Sequence, residues 1–356
     1  MRVAILGTGG IGRAYAVHLA AQGHRPVLWS PTGQPPDTTL VATGILPGRF
    51  AVEVAAECAA ALEGAEVAII AAVANGHRAV MEAMAPHLRP GQVVIVSAHC
   101  SFGALYLSRL LAARDLELPI AAWATTALTG RRSGGDRVHI SGQRSKLDVA
   151  TLPVNRSEAG EAACRALFGD RFQRRDGLLA IALSNLNPPA HMANMLLNLT
   201  RAETGEEWPN YGSITPAVGA LMEALDDERL ALARRFGLSV RTVFEHFVLS
   251  HGVAPGSVTE MSRAVHAKRP ELMGPKTLNT RFVTEDVPFG LLPLELLGRM
   301  TGVAVPLHSA GIAVFSAVYG RDFRAENDLL PALNLEAHGP DGLVRLLRQG
   351  WPATLS

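Results

Sequence analysis

The string Gly7-Thr8-Gly9-Gly10-Ile11-Gly12 limits what this chain can fold into more than any other feature. Its context makes it informative. It follows the apolar run Val3–Leu6 and opens the Ala-rich, amphipathic segment Ile11–Gln22. G-x-G-x-x-G alone is a weak motif, but between a strand and a helix it is the turn of a dinucleotide-binding unit. There Gly7 permits the tight turn, Gly9 lets the backbone approach a pyrophosphate, and Gly12 lets helix and strand pack closely. Gly10 and Ile11 complete the loop, whose free N–H groups and helix dipole attract phosphate. The plain structural alternative is a glycine turn that only packs.

The rest of the first half repeats this alternation. Apolar runs at Val27–Trp29, Glu66–Ala72, Gln92–Ser97 and Pro119–Trp123 are separated by the helix-prone segments His77–His87 and Gly103–Arg114. Continuously apolar strands joined by helices predict a parallel sheet buried on both faces. Arg137–Gly142 and Lys146–Pro153, split by Gly142-Gln143-Arg144-Ser145, are expected to form a late hairpin at the sheet edge. Beyond Leu178 the strand signal fades. Helices are expected over Pro188–Arg201, Pro216–Phe236, Val240–Leu249, Pro288–Met300, Pro306–Tyr319 and Asp341–Gln349, several opening on proline. Between them Gly252–Asp286, punctuated by Gly and Pro, is expected to be irregular and functional. The predicted class is α/β: an N-terminal Rossmann-type, doubly wound parallel sheet over 1–176, followed by an all-α domain over 177–356.

Composition narrows the function classes. Of 356 residues 18% are charged and the net charge is +1, which gives no basic footprint for nucleic acid. No apolar stretch is long enough for a spanning helix, and the N-terminus shows no leader pattern, so no membrane association is expected. Cys58, Cys100 and Cys164 are far apart and odd in number, with no metal-ligand spacing, which fits a reducing cytoplasm. The expected partners are small-molecule substrates, and the composition is compatible with a homodimer.

The second apolar strand ends Val27-Leu28-Trp29-Ser30-Pro31. Sites that prefer NAD carry Asp or Glu here to bind the ribose 2′-hydroxyl. Ser30 removes that carboxylate and its repulsion of a 2′-phosphate, so NADP is the expected cofactor, with NAD as the alternative. No arginine in the sequence is an obvious partner for the phosphate.

In Ser184–Asn198 the polar residues Asn187, His191, Asn194 and Asn198 recur at intervals of four, three and four. They share one face of a helix that is otherwise Leu, Met and Ala. Buried amides left unpaired cost about 1–3 kcal/mol each, so the stripe must be hydrogen-bonded or must line a cavity. Asn187 before Pro188 is expected as an N-cap, with His191 following as a candidate acid–base. A core histidine bonded to a backbone carbonyl is the bland alternative. In Thr280-Arg281-Phe282-Val283-Thr284-Glu285-Asp286-Val287-Pro288, Glu285 or Asp286 is a natural capping group. The functional alternative has Arg281 gripping a substrate carboxylate and Asp286 orienting His191.

Three pieces, VAILGTGGIGRAYA, LSNLNPPAH and LNTRFVTEDVPFGLLPLE, resemble the octopine/nopaline (opine) dehydrogenase family, and the resemblance runs over almost the whole chain. The last two pieces are the specific ones. The resemblance implies a Rossmann domain followed by a helical domain. It also implies reductive joining of an amino group to a 2-oxo acid, with a secondary amine dicarboxylate as product. It assigns the catalytic histidine to His191, its paired aspartate to Asp286 and the substrate-binding arginine to Arg281. Phe282 stands where the family often has tyrosine, and Ala72-Val73-Ala74 replaces a proline-bearing turn. Asn187 is expected to bond the reacting oxygen or nitrogen. Two other functions fit the same plan: an NAD(P)-dependent reductase of a simple oxo acid without amine, and a non-catalytic NAD(P)-binding regulator.

Overall fold

The structure is a computed structural model and describes residues 1–32 and 37–353. The chain forms two units, Met1–Ala182 joined by the segment from Asp341, and Leu183–Pro340. The sequence pattern puts the divide at 176/177 and every later helix in the second part. The last helix, Gly339–Gln349, nevertheless belongs with the first unit, where it buries Leu343, Leu346 and Leu347. Gly177 sits against the Leu347 carbonyl, and Arg348 pairs with Asp176.

Among the described residues the first unit has twelve strands: β1 (Arg2–Leu6), β2 (Arg25–Trp29), β3 (Thr39–Gly44), β4 (Gly48–Ala51), β5 (Glu53–Val54), β6 (Val67–Ile70), β7 (Val93–Val96), β8 (Ile120–Trp123), β9 (Leu128–Arg132), β10 (Arg137–Gln143), β11 (Leu147–Leu152) and β12 (Phe172–Arg174). Eight of them form a sheet in the order β12-β11-β8-β7-β6-β1-β2-β5. Only the β11–β8 pairing is antiparallel. Strand order runs outward from β1 in both directions, the doubly wound plan the apolar runs predict. Val3 to Leu6 have no exposed surface, as a strand covered on both faces requires. Helix α1 (Gly10–Ala21) follows β1 directly.

The expected late hairpin does not form. β10 pairs with β3 and β9 in a second, four-stranded sheet, β4-β3-β10-β9, whereas β11 lies in the main sheet between β8 and β12. The burial patterns give the reason. Val138 and Ile140 of β10 are buried while Arg137 and His139 are exposed, the alternation of a strand with one wet face; all six residues of β11 are buried. Gly142–Ser145 therefore connects two sheets and turns no hairpin. The small sheet packs on α1 and was not foreseen beyond β10, because β3, β4 and β9 are short and mixed in polarity.

The second unit is helical: α2 (Asn187–Leu197), α3 (Pro216–Arg235), α4 (Val243–His251), α5 (Val258–Lys268), α6 (Arg281–Thr284), α7 (Leu292–Thr301) and α8 (Pro306–Tyr319), with shorter turns between. The stretch expected to be irregular, Gly252–Asp286, contains α5. Its start is a full capping box, with Ser257 and Glu260 bonding each other's backbone N–H, a pattern that the flanking glycines and prolines obscured. The helix expected from Pro288 begins as a π-helix, Val287–Leu291, and becomes regular only at α7. No helix of the described residues is long and apolar enough to cross a membrane.

Candidate active site

The glycine loop has the geometry that phosphate binding needs. Gly7 adopts φ +136°, and a methyl there would lie 2.4 Å from the Ala71 carbonyl oxygen. At Gly12 a methyl would lie 1.8 Å from the Gly7 carbonyl oxygen, so helix and strand approach only because both positions lack side chains. Around Gly9 nothing comes within 4 Å of an added methyl, and as N-cap of α1 it offers no side chain to the helix N–H groups. Open space in front of unsatisfied donors suits an anion, so the loop fits a dinucleotide. Gly10 has a further duty that the sequence did not reveal: a methyl there would lie 2.6 Å from the Gly130 carbonyl oxygen in β9. Ile11 is half-buried against the apolar core of the first unit.

Arg13, one residue past the motif, is buried and locks the loop. Its Nε donates to the Thr8 carbonyl at 2.9 Å and its guanidinium also reaches the Gly135 carbonyl. Burial pushes its pKa down. Ser30 stands just past β2, its hydroxyl 3.0 Å from that of Thr32. Residues 33–36 lie outside the described residues.

In the second unit the structure brings His191 and Asp286 together. His191 Nδ1 lies 2.7 Å from Asp286 Oδ2, with the two side chains 17% and 12% exposed. The residues are 95 positions apart, so only the fold could make this contact. Two packing features make it. Prolines 188 and 189 start α2, and Gly290 of the π-helix lies against Pro188 so closely that a methyl on it would sit 2.3 Å from the proline Cγ. A π-helix is a common marker of functional segments, and this one carries Asp286 to α2. Asn327 bonds the Pro288 carbonyl at 2.7 Å and fixes the segment from behind. Phe282 then stacks on the His191 ring, centroids 3.7 Å apart and planes 5° from parallel.

Two capping expectations are corrected. Asp286 precedes the π-helix but makes no side-chain cap; its carboxylate is directed to His191 instead. Asn187 is the first residue of α2, with Leu186 as N-cap; Asn185 Oδ1 accepts the Asn187 N–H at 3.1 Å, leaving the Asn187 side chain to line a cavity. Arg281 opens α6 with its side chain 61% exposed, touching Glu285 at 3.8 Å. That is long for an ion pair and leaves the guanidinium fork available.

The polar stripe divides by function. Asn198 Nδ2 donates to Asn194 Oδ1 at 3.1 Å, and Asn194 Nδ2 donates to Asn210 Oδ1 at 2.9 Å, a ladder that satisfies these groups. Asn187 and His191, at the other end, line a cavity of about 70 Å³ with Asn210, Tyr211, Val243 and Phe247. Its walls are clamped by a buried pair. Arg229, without exposed surface, bonds Asp226, the Leu183 carbonyl and the Arg241 carbonyl, and Asp226 accepts the Val243 N–H at 2.8 Å. Sequence inspection missed this clamp, because D-D-E-R within α3 reads as an exposed charged face.

Comparison with known proteins agrees with both halves. Residues 174–319 match the family described as NAD/NADP octopine/nopaline dehydrogenase, alpha-helical domain, and residues 3–98 match ketopantoate reductase PanE/ApbA. An opine dehydrogenase of Arthrobacter sp. (strain 1C) is 30% identical over 343 residues, covering 93% of this chain and 94% of its own. Octopine dehydrogenase solved with NADH and L-arginine superposes with a TM-score of 0.74 at 14% identity, covering 89% of each chain. Yersinopine dehydrogenase with NADP+ bound gives 0.67 at 16%, covering 93% of this chain and 98% of that one. At those identities the two structures speak for the fold alone.

Proposed function

The chain belongs to the opine dehydrogenase family, and from that membership we propose that it joins an amino group to a 2-oxo acid and reduces the product to a secondary amine. It is an NAD(P)-dependent oxidoreductase acting on CH–NH groups. The observation that carries the mechanistic reading is the 2.7 Å contact between His191 and Asp286.

When bound at Gly7, Gly9, Gly10, Ile11 and Gly12, a nicotinamide dinucleotide supplies the hydride. The chain's own residues handle the protons and the alignment. Asp286 accepts the Nδ1–H of His191 and fixes the tautomer in which Nε2 is an acceptor. His191 Nε2 takes the proton released as the amine attacks the oxo carbon and returns it to the oxygen; a second proton, taken up from solvent through His191, lets that oxygen leave as water, and the protonated imine that remains needs only the hydride to become the secondary amine. Phe282 holds the ring plane during these transfers. Arg281, exposed and only loosely paired with Glu285 at 3.8 Å, binds a substrate carboxylate in a planar two-bond grip. Asn187 hydrogen-bonds the reacting oxygen or nitrogen. This gives the first unit the cofactor role and the second, Leu183–Pro340, the catalytic role.

Ser30 favours NADP, since it lacks the carboxylate that would repel a 2′-phosphate. The three free thiols suit a cytoplasmic setting. The test is cofactor oxidation with pyruvate, glyoxylate or 2-oxoglutarate, each with and without amino acids, using NADPH and NADH. Turnover that requires the amine supports the reading. Equal turnover without it overturns the condensation in favour of plain oxo-acid reduction. Tighter NADH than NADPH binding would reject the Ser30 inference.

A further inference from the structure

We propose that the cavity beside His191 takes the side chain of the condensing amino acid, and that this side chain is uncharged and apolar or aromatic. The inference rests on the condensation reading and adds its substrate class. The cavity is walled wholly by the second unit. Half of its lining is apolar: Leu186, Ala190, Ile214, Met222, Val243 and Phe247. The polar groups that line it are neutral amides, a phenol and imidazoles: Asn187, His191, Asn210, Tyr211, His246 and His251. Among the described residues lining it there is no Asp, Glu, Lys or Arg.

Several of the polar groups are already engaged with protein. Asn210 Oδ1 accepts from Asn194, and the Tyr211 hydroxyl lies 3.3 Å from His251 Nε2. Tyr211 and Phe247 meet edge to face, centroids 6.1 Å apart at 86°. A guanidinium, ammonium or carboxylate placed here would meet no opposite charge, and burying an unpaired charge is strongly unfavourable. An alkyl, thioether or phenyl group would instead gain apolar contact. The volume of about 70 Å³ is well above the roughly 10–15 Å³ that admits a single water, so a small side-chain group can enter. His191 acts on the nitrogen to which the amino acid's α-carbon is bonded, so that carbon's side chain falls within reach of the cavity His191 lines. The oxo carbon, by contrast, must face the hydride donor held by the glycine loop.

The experiment measures kcat/KM for leucine, methionine, phenylalanine, arginine, lysine and glutamate with pyruvate fixed, then for a series of 2-oxo acids with leucine fixed. The neutral apolar amino acids should exceed the charged ones by at least about 100-fold. Ile214→Ala should shift preference toward larger side chains such as tryptophan. Met222→Glu, if it folds, should raise lysine and arginine relative to leucine. Arginine or lysine turning over as well as leucine overturns the assignment and leaves the condensation reading standing. Size discrimination among oxo acids with none among amino acids also overturns it, giving the cavity to the other substrate. If no amino acid accelerates cofactor oxidation over pyruvate alone, the condensation reading itself falls and this inference with it.

Discussion

Replacing Gly290 by alanine should disable His191 without touching it. The new methyl would start 2.3 Å from Pro188 Cγ and 2.6 Å from its Cβ, where ordinary contact begins near 3.4 Å. The π-helix must therefore retreat from α2 by about 1 Å, since the proline ring cannot swing aside. A retreat of that size along the 2.7 Å line between His191 Nδ1 and Asp286 Oδ2 opens the pair to about 3.7–3.8 Å, beyond hydrogen-bond reach. Misplacement of about 1 Å at a catalytic group costs roughly 100-fold in rate. Overpacking of this kind also costs about 1–3 kcal/mol of stability. Steady-state kinetics on Gly290→Ala, beside urea denaturation of the same preparation, should show kcat down by about two orders of magnitude, with the variant still folded. Cofactor affinity, which we assign to the glycine loop, should hold. A variant with a lowered urea midpoint but kcat within about threefold of the parent would refute the reasoning. Gly290 would then be a packing residue, and the aspartate would reach His191 by some other support.

Further outcomes follow from the same site. His191→Ala and Asp286→Ala should each lower turnover severely, by about 100-fold or more, and the double variant should be scarcely worse than the more damaged single, because two groups sharing one task are not additive. Loss of less than about threefold in Asp286→Ala, with only about 1 kcal/mol less stability, would mark it as a helix-terminus residue. Arg281→Lys should depress kcat/KM for the carboxylate substrate while cofactor binding is kept, since an ammonium cannot supply a planar two-bond grip; silent kinetics would move carboxylate binding elsewhere. Burial holds His77 and His99 neutral, pushing their pKa values down from 6.5 to about 4 and about 3. The unfolded chain takes up these protons first, so their contribution to stability is whole above pH 6.5 and is lost as pH falls through that value toward 4 and 3. The expected slope is on the order of 1 kcal/mol per pH unit for each ring. Urea midpoints between pH 7 and 5 check this, and His99→Phe should flatten the dependence.

Some of this protein was legible in the sequence because the causes are local. A glycine loop between an apolar strand and a helix is set by sterics within twelve residues, and Gly7, Gly9 and Gly12 stand in the structure as their spacing requires. Continuous apolar runs became the buried parallel strands, since a strand covered on both faces has no use for polar residues. The four-three-four spacing placed Asn187, His191 and Asn194 along one helix, with Asn198 just past its end as the C-cap. Other features needed the fold. Whether β10 turned back on β11 or crossed to a second sheet depended on partners far away in the chain, β3 and β8, which no local pattern names. The capping preference of Asp286 gave way to its bond with His191, because a fixed imidazole at 2.7 Å competes directly with backbone N–H groups for the same carboxylate. That contact exists because Gly290 meets Pro188, two residues about a hundred positions apart whose fit is a matter of volume. Local chemistry determined which groups could act; close packing between distant segments decided which of them meet.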